Sequence, residues 1–190
     1  MSVSSTKAII FDCFGVLYLG AYRAMEEKCP DKAFELSELT KQADYGFLSR
    51  EDYMKQLTEL TGLNDTELRE LIVDEYHLNE PLISYIRTNL KPYYKIGMVS
   101  NIGRGWIQNF FDEYELHDLF DAVVLSGDEG VLKPHPQIYE LVAEKLGVEP
   151  EACLMVDDLP ENIAGADAAG MRGIVYGNFR ILTQELPDLL

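Results

Sequence analysis

Ala8-Ile9-Ile10-Phe11-Asp12-Cys13-Phe14-Gly15-Val16-Leu17 is the stretch on which the reading of this chain turns. Its apolar run has the length of a buried strand, and Asp12 falls where that strand should end, ahead of a glycine that lets the backbone turn. A carboxylate at the carboxyl end of a parallel strand stands over the crevice where open α/β sheets bind ligands. The same pattern of apolar run and reactive residue recurs three times. Lys95-Ile96-Gly97-Met98-Val99 runs into Ser100-Asn101, Ala122-Val123-Val124-Leu125-Ser126-Gly127-Asp128 leads to Lys133-Pro134, and Cys153-Leu154-Met155-Val156 delivers Asp157-Asp158. If the strands are parallel, a carboxylate, a hydroxyl, an ammonium and a carboxylate pair face one cleft.

Outward from that stretch the periodicity changes twice. Between Leu17 and about Pro92 apolar residues recur at spacings of three and four, which predicts helices near 21–28, 31–44, 49–61, 65–76 and 81–90. Ser49 followed by Glu51 and Asp52 reads as a capped helix start, Gly62 as a stop, and Pro81 as a first helical residue. From Tyr93 on, short strands (94–99, 122–125, 153–156, 173–176) alternate with helices (104–114, 135–146, 160–169), the last closed by Gly170. That alternation implies right-handed crossovers and a parallel sheet covered on both faces. The expected fold class is α/β: a doubly wound three-layer Rossmann-like core from 1–17 and 91–190, with 18–90 as an inserted small helical bundle plus a return helix.

Composition narrows the function. Sixteen basic against 33 acidic residues give a formal net charge of −17, which repels nucleic-acid phosphates and anionic lipid headgroups. The expected partner is a small molecule, with neither nucleic acid nor membrane. Cys13, Cys29 and Cys153 are odd in number, with two in or beside expected strands, which argues against a disulfide framework and for a reducing cytoplasm. Residues 1–7 lack the apolar stretch of a secretory signal, and no run approaches the ~20 apolar residues of a membrane span. Nothing in the sequence speaks to oligomeric state.

The order FDxFGV, VSN, KP and VDDxxxN resembles the four signature motifs of the haloacid dehalogenase-like hydrolase superfamily, in its phosphatase-like branch with a helical cap. The resemblance covers about two thirds of the chain and implies that the insert is a cap that closes over the site and selects substrate. Asp12 is then the nucleophile, attacking phosphorus to give an aspartyl-phosphate. Lys133 neutralises the transferring phosphoryl group, and Ser100 with the amide of Asn101 donates to phosphate oxygens. Asp157, Asp158 and Asp12 suit a hard octahedral ion such as Mg²⁺. By resemblance the backbone carbonyl of Phe14 is also a ligand, and Asp158 is a more direct ligand than Asp157. Asn162 has the spacing to buttress the metal loop. The expected substrate is a small phosphorylated metabolite.

One position departs from the resembled pattern. Phosphatases of this superfamily generally carry a second Asp two residues after the nucleophile, to protonate the leaving group and then activate water; here that residue is Phe14. Acid and base assistance is worth about 10² to 10⁴ in rate. Three readings follow: a phosphatase whose proton comes from a cap residue, solvent or the substrate; a 2-haloacid dehalogenase, against which the Asp157-Asp158 pair counts; or a phosphate-ligand binding or regulatory protein without turnover. Cys13 reads as packing, His77, His117 and His135 have no zinc spacing, His135 suits a helix start, and Tyr139, Trp106 and Phe110-Phe111 read as core.

Overall fold

The computed structural model describes residues 5–20, 24–74, 76–108, 111 and 116–190. Five parallel strands form its main sheet: β1 (Ala8–Phe11), β4 (Lys95–Ser100), β5 (Ala122–Leu125), β6 (Cys153–Asp157) and β7 (Arg172–Val175), in the order β5-β4-β1-β6-β7. The strand that carries Asp12 therefore lies in the middle, with β4 and β6 on either side. Phe11 is in register with Met98 of β4 and Val156 of β6, so Asp12, Ser100 and Asp157 leave the sheet at nearly the same level.

Strand alternation sorts the apolar side chains into two cores. Ile9, Phe11, Ile96, Met98, Leu154 and Val156 pack on one face, while Ala8, Ile10, Val99, Val124, Cys153 and Met155 pack on the other. The second face is covered by α7 (Pro136–Leu146) and α8 (Pro160–Ala168), through Ile138, Tyr139, Val142 and Ala166. The first is covered by α5 (Glu80–Tyr85) and its continuation Ile86–Leu90, and by α9 (Phe179–Glu185). Burial on both faces explains why the strands read as continuous apolar runs, each fully buried Leu or Ile contributing roughly 1.5–3 kcal/mol.

The insert leaves the core through a short ribbon, β2 (Tyr18–Leu19) antiparallel to β3 (His77–Leu78). Asn79 stitches this neck: its side-chain amide donates to the Val16 carbonyl (2.8 Å) and to the Tyr176 hydroxyl (2.7 Å), and its backbone N–H to Leu17 (2.8 Å). Within the insert run α1 (Ala24–Lys28), α2 (Ala33–Asp44), α3 (Arg50–Thr61) and α4 (Asp65–Arg69). Ser49 caps α3 by accepting from the Asp52 N–H (3.1 Å), Gly62 closes it with φ 73°, and Asn64 with Glu67 forms a capping box on α4. Leu36, Leu39, Tyr53 and Leu57 of α2 and α3 join the apolar core of the first sheet face, so the insert shares its interior with the sheet.

The three-layer α/β fold is as the sequence predicts, with local differences. The helix expected at 65–76 ends at Arg69 and continues as a wider π turn over Glu70–Asp74, and the helix at 81–90 likewise widens after Tyr85. The helix expected at 21–28 is described only from Ala24; that expected at 104–114 starts later, with a turn at 104–105, no helix at 106 and helix at 107–108 and 111, while 109–110 and 112–114 lie outside the described residues. The two-residue ribbon, a single turn α6 (Ser126–Glu129) and α9 were not expected. Among the described residues no helix is long and apolar enough to cross a membrane.

Candidate active site

Four loops at the carboxyl edge of the sheet converge. Lys133 is buried, with its Nζ 2.7 Å from Asp12 Oδ1 and 2.6 Å from Asp157 Oδ2. Asp12 Oδ1 also accepts from the Cys13 N–H at 2.6 Å. Asp157, the last residue of β6, accepts at Oδ1 from the Leu159 N–H (3.0 Å) and the Asn162 side-chain amide (2.9 Å). Both of its oxygens are therefore engaged. Asp158 follows it, and carboxylate oxygens of Asp12, Asp157 and Asp158 lie within 4.8 Å of one another.

Gly15 explains how Asp158 comes so close. Its φ is +89°, and a Cβ there would stand 2.4 Å from Asp158 Oδ2, so the turn after Asp12 admits only glycine without displacing that carboxylate. The loops are held from behind as well. The Asn101 side chain clasps Lys133 in both directions, its Nδ2 donating to the Lys133 carbonyl (3.0 Å) and its Oδ1 accepting from the Lys133 N–H (2.8 Å). Tyr139 donates its hydroxyl to the Asn162 carbonyl (2.7 Å), bracing the residue that orients Asp157. His135 caps α7, its Nδ1 accepting from the Gln137 N–H (3.3 Å).

The electrostatics follow from three carboxylates around one ammonium. Burial lifts the Asp12 carboxyl up to about 7; Lys133 opposes the rise and Asp157 reinforces it. Burial and the neighbouring Asp157 also push Asp158 upward. Burial alone would pull Lys133 down, but the two carboxylates outweigh it and hold the ammonium above its usual range. The Cys13 thiol is raised by burial and by Asp12, so it stays protonated and packs in the core. A surplus of anionic oxygen donors in a partly buried cluster is the chemistry of a hard divalent cation.

Ser100 supplies a second, independent sign of a ligand. Its hydroxyl is fully buried and has no hydrogen-bond partner among the described residues. A buried unpartnered hydroxyl costs about 1–3 kcal/mol, and at the end of β4, one strand from Asp12, it is placed to donate to an oxygen-rich ligand.

Beside this polar cluster, bounded by the chain neighbours Phe14, Asn101 and Leu132, lies a cavity of about 640 Å³. Phe14, Asn101, Trp106 and Leu132 line it from the core, and Phe34, Tyr53 and Ile72 from the insert. Phe14 packs its ring 4.8 Å from that of Tyr76 and 6.3 Å from that of Tyr18, so an aromatic wall stands two residues after Asp12. Trp106 is buried in the core, as expected, and also lines the cavity.

Each of the site residues named from sequence lies at this carboxyl edge. Sequence reasoning missed the Asn101 clasp and Asp44, a carboxyl at the end of α2 that lines the cavity. A signal for Asp44 existed: an acidic residue in the last turn of a helix is opposed by the helix dipole, and such a position asks for a reason.

Comparison with known proteins reaches the same territory. A model of the family described as haloacid dehalogenase-like hydrolase matches residues 6–170. The chain is 47% identical over 57 residues to phosphatase MT3486 of Mycobacterium tuberculosis, covering 30% of this chain and 26% of that protein. It is 28% identical to sesquiterpene phosphatase astK of Aspergillus oryzae, covering 97% of this chain and 96% of that one. The first of these curated relatives are matched over less than half of their own length. A magnesium complex of HAD family enzyme bt-2542 from Bacteroides thetaiotaomicron superposes with a TM-score of 0.79 at 19% identity, over 96% of this chain and all of that one. At that identity the likeness speaks for the fold.

Proposed function

The chain belongs to the haloacid dehalogenase-like hydrolases, and from that membership we propose that it is a Mg²⁺-dependent phosphatase. Its substrate is a small phosphorylated metabolite, split through an aspartyl-phosphate on Asp12. The observation that carries the reading is the convergence of Asp12, Lys133 and Asp157 within 2.7 Å contacts beside Asp158, next to the unpartnered Ser100 hydroxyl.

Asp12 and Asp158, with the Phe14 backbone carbonyl, would hold the cation, and Asp157 acts through Lys133 because its own oxygens are engaged. Bound Mg²⁺ supplies charge that offsets the phosphate oxygens and favours the ionised form of the carboxylates around it. Lys133 stabilises the phosphoryl group in flight while Ser100 and the Asn101 amide orient it. Asp12 forms the new P–O bond as the ester P–O bond breaks, and water then cleaves the phosphoaspartate to free phosphate and Asp12.

Residues 18–90 serve as the cap and its return helix. The apolar walls of the cavity favour an ester with an apolar organic part, and the Aspergillus relative, a sesquiterpene phosphatase, points the same way.

Phosphate release from a panel of metabolite esters, with and without Mg²⁺, tests the reading. Metal-dependent release that falls by about 10⁴-fold or more in Asp12→Asn is the expected result. Metal-independent halide release from 2-haloacids would replace it with a dehalogenase, and no release of either would leave a ligand-binding protein.

A further inference from the structure

We propose that Asp44, reaching the cavity from the end of α2, is the general acid and base of this site and does the proton work that Phe14 cannot. The inference rests on the phosphatase reading above. Asp44 lines the same cavity as Phe14, Asn101, Ile102 and Leu132, residues beside the nucleophile, Ser100 and Lys133.

Its backbone is pinned to the catalytic loops. The Ser126 hydroxyl donates to the Asp44 carbonyl (2.7 Å) and accepts from the Ile102 N–H (2.9 Å), so one side chain ties the end of α2 to the loop that follows Ser100 and Asn101. The next turn sits equally close: a Cβ on Gly46 would stand 2.2 Å from the Gly127 carbonyl. A carboxyl mounted on a helix and fixed to the core at this distance is placed by the fold, as a proton-transfer group must be.

The chemistry suits the role. Burial pushes the Asp44 carboxyl up to about 7, with Lys133 pulling against it. A group half protonated near neutrality can give and take a proton in one cycle. Around Asp44, Lys133 and Tyr53 are the titratable groups whose charge is coupled to it, and Lys41 lines the cavity from the same helix. Arg104 is engaged with the Gly127 carbonyl (2.6 Å) and Glu129 of α6 with Lys145 (2.5 Å). Asp128 of α6, Glu27 and Lys28 of α1, Asp31, Lys32 and the remaining charged residues of α3 are exposed.

In the first half-reaction the ester P–O bond breaks, its electron pair goes to the ester oxygen, and the Asp44 proton follows to release an alcohol. In the second, the Asp44 carboxylate takes a proton from the water that attacks phosphorus, the P–O bond to Asp12 breaks, and phosphate leaves. Both carboxyls end as they began, with one water consumed.

Asp44→Asn keeps the shape and the Ser126 anchor but cannot transfer a proton. On a primary alkyl phosphate with Mg²⁺, its kcat should fall about 10²- to 10⁴-fold with little change in KM. p-Nitrophenyl phosphate, whose leaving group needs no proton, should still give a burst of one nitrophenolate per protein, followed by slow turnover. The double variant Phe14→Asp with Asp44→Asn should recover part of the alkyl phosphate activity. A kcat on alkyl phosphate within a few-fold of the unsubstituted protein, or an equal loss on both substrates with no burst, overturns the proposal while the phosphatase reading stands. No turnover of any phosphate ester by the unsubstituted protein overturns both.

Discussion

The carboxyl edge of the sheet and the insert above it solve opposite problems. At the edge, charged groups are buried against one another: Lys133 between Asp12 and Asp157, Asn162 on Asp157, Asn101 on Lys133. In the insert, the side chains that face the same cavity are mostly apolar or aromatic, with Asp44 at the boundary. The edge supplies fixed charge where a phosphoryl group would sit; the insert supplies shape and a dry wall, which raises the strength of every charge beneath it. On the proposed reading the edge carries most of the chemistry and the insert most of the selection, with Asp44 of α2 as the link between them.

The sharpest way to break that division is Lys133→Met. It leaves Asp12 and Asp157 buried without the ammonium they share, and losing one partner of a buried ionic cluster costs about 3–5 kcal/mol. Urea unfolding at pH 7 should show that loss, and it should shrink toward pH 4 as the Asp12 carboxyl, which ionises near 7 in the fold, takes up its proton. A loss under about 1 kcal/mol would mean that the edge is not held by its charges.

Asp44→Asn tests the boundary between the two regions by its effect on stability. In the unfolded chain the carboxyl ionises near 3.8, in the fold near 7. Between those values the unfolded chain has released the proton that the folded protein keeps, so this group makes stability fall as pH rises from about 4 to 7 and has no further effect above. Asp44→Asn removes that slope. The variant should match the parent at pH 4 and exceed it at pH 7 by on the order of 1 kcal/mol, the partial exposure of the group limiting the gain. Equal stability at both pH values would mean that Asp44 is solvated and ordinary. A residue kept at a cost to stability is what a functional group looks like.

The same division decides what the sequence could say. Strand ends were legible because burial on both faces forces continuous apolar runs, and a reactive residue after each run stands out: Asp12, Ser100 and Asp157 all fell where expected. Lys133 lies off any strand and was legible only through the order of the motifs. In the insert the helices were legible as periodicity, but their orientation was not. Asp44 is one acidic residue among 33; its place in the last turn of α2 is a faint signal, and the Ser126 anchor and the closeness of Gly46 to Gly127 single it out. The two-residue ribbon of β2 and β3 is too short to show alternation, and its main fastening, Asn79 on Val16 and Tyr176, spans 97 residues. The π turns after Arg69 and Tyr85 leave a helical apolar spacing nearly intact, so the pattern does not betray them.

The smallest effect belongs to the insert alone. Phe34 lines the cavity yet is 76% exposed, so Phe34→Ala removes a wall of the chamber at little cost to the core. An aromatic side chain that covers part of a bound hydrocarbon contributes about 1 kcal/mol of differential binding, which is roughly a fivefold change. The ratio of kcat/KM for a long-chain alkyl phosphate to that for a short polar ester should therefore fall about fivefold, because only the longer group reaches the wall at α2 that Phe34 forms. If both esters weaken equally, Phe34 acts on the edge after all and the division fails. If neither changes, the apolar walls that matter are the deeper ones, Phe14 and Trp106, and selection sits closer to Asp12 than the insert's outer helices.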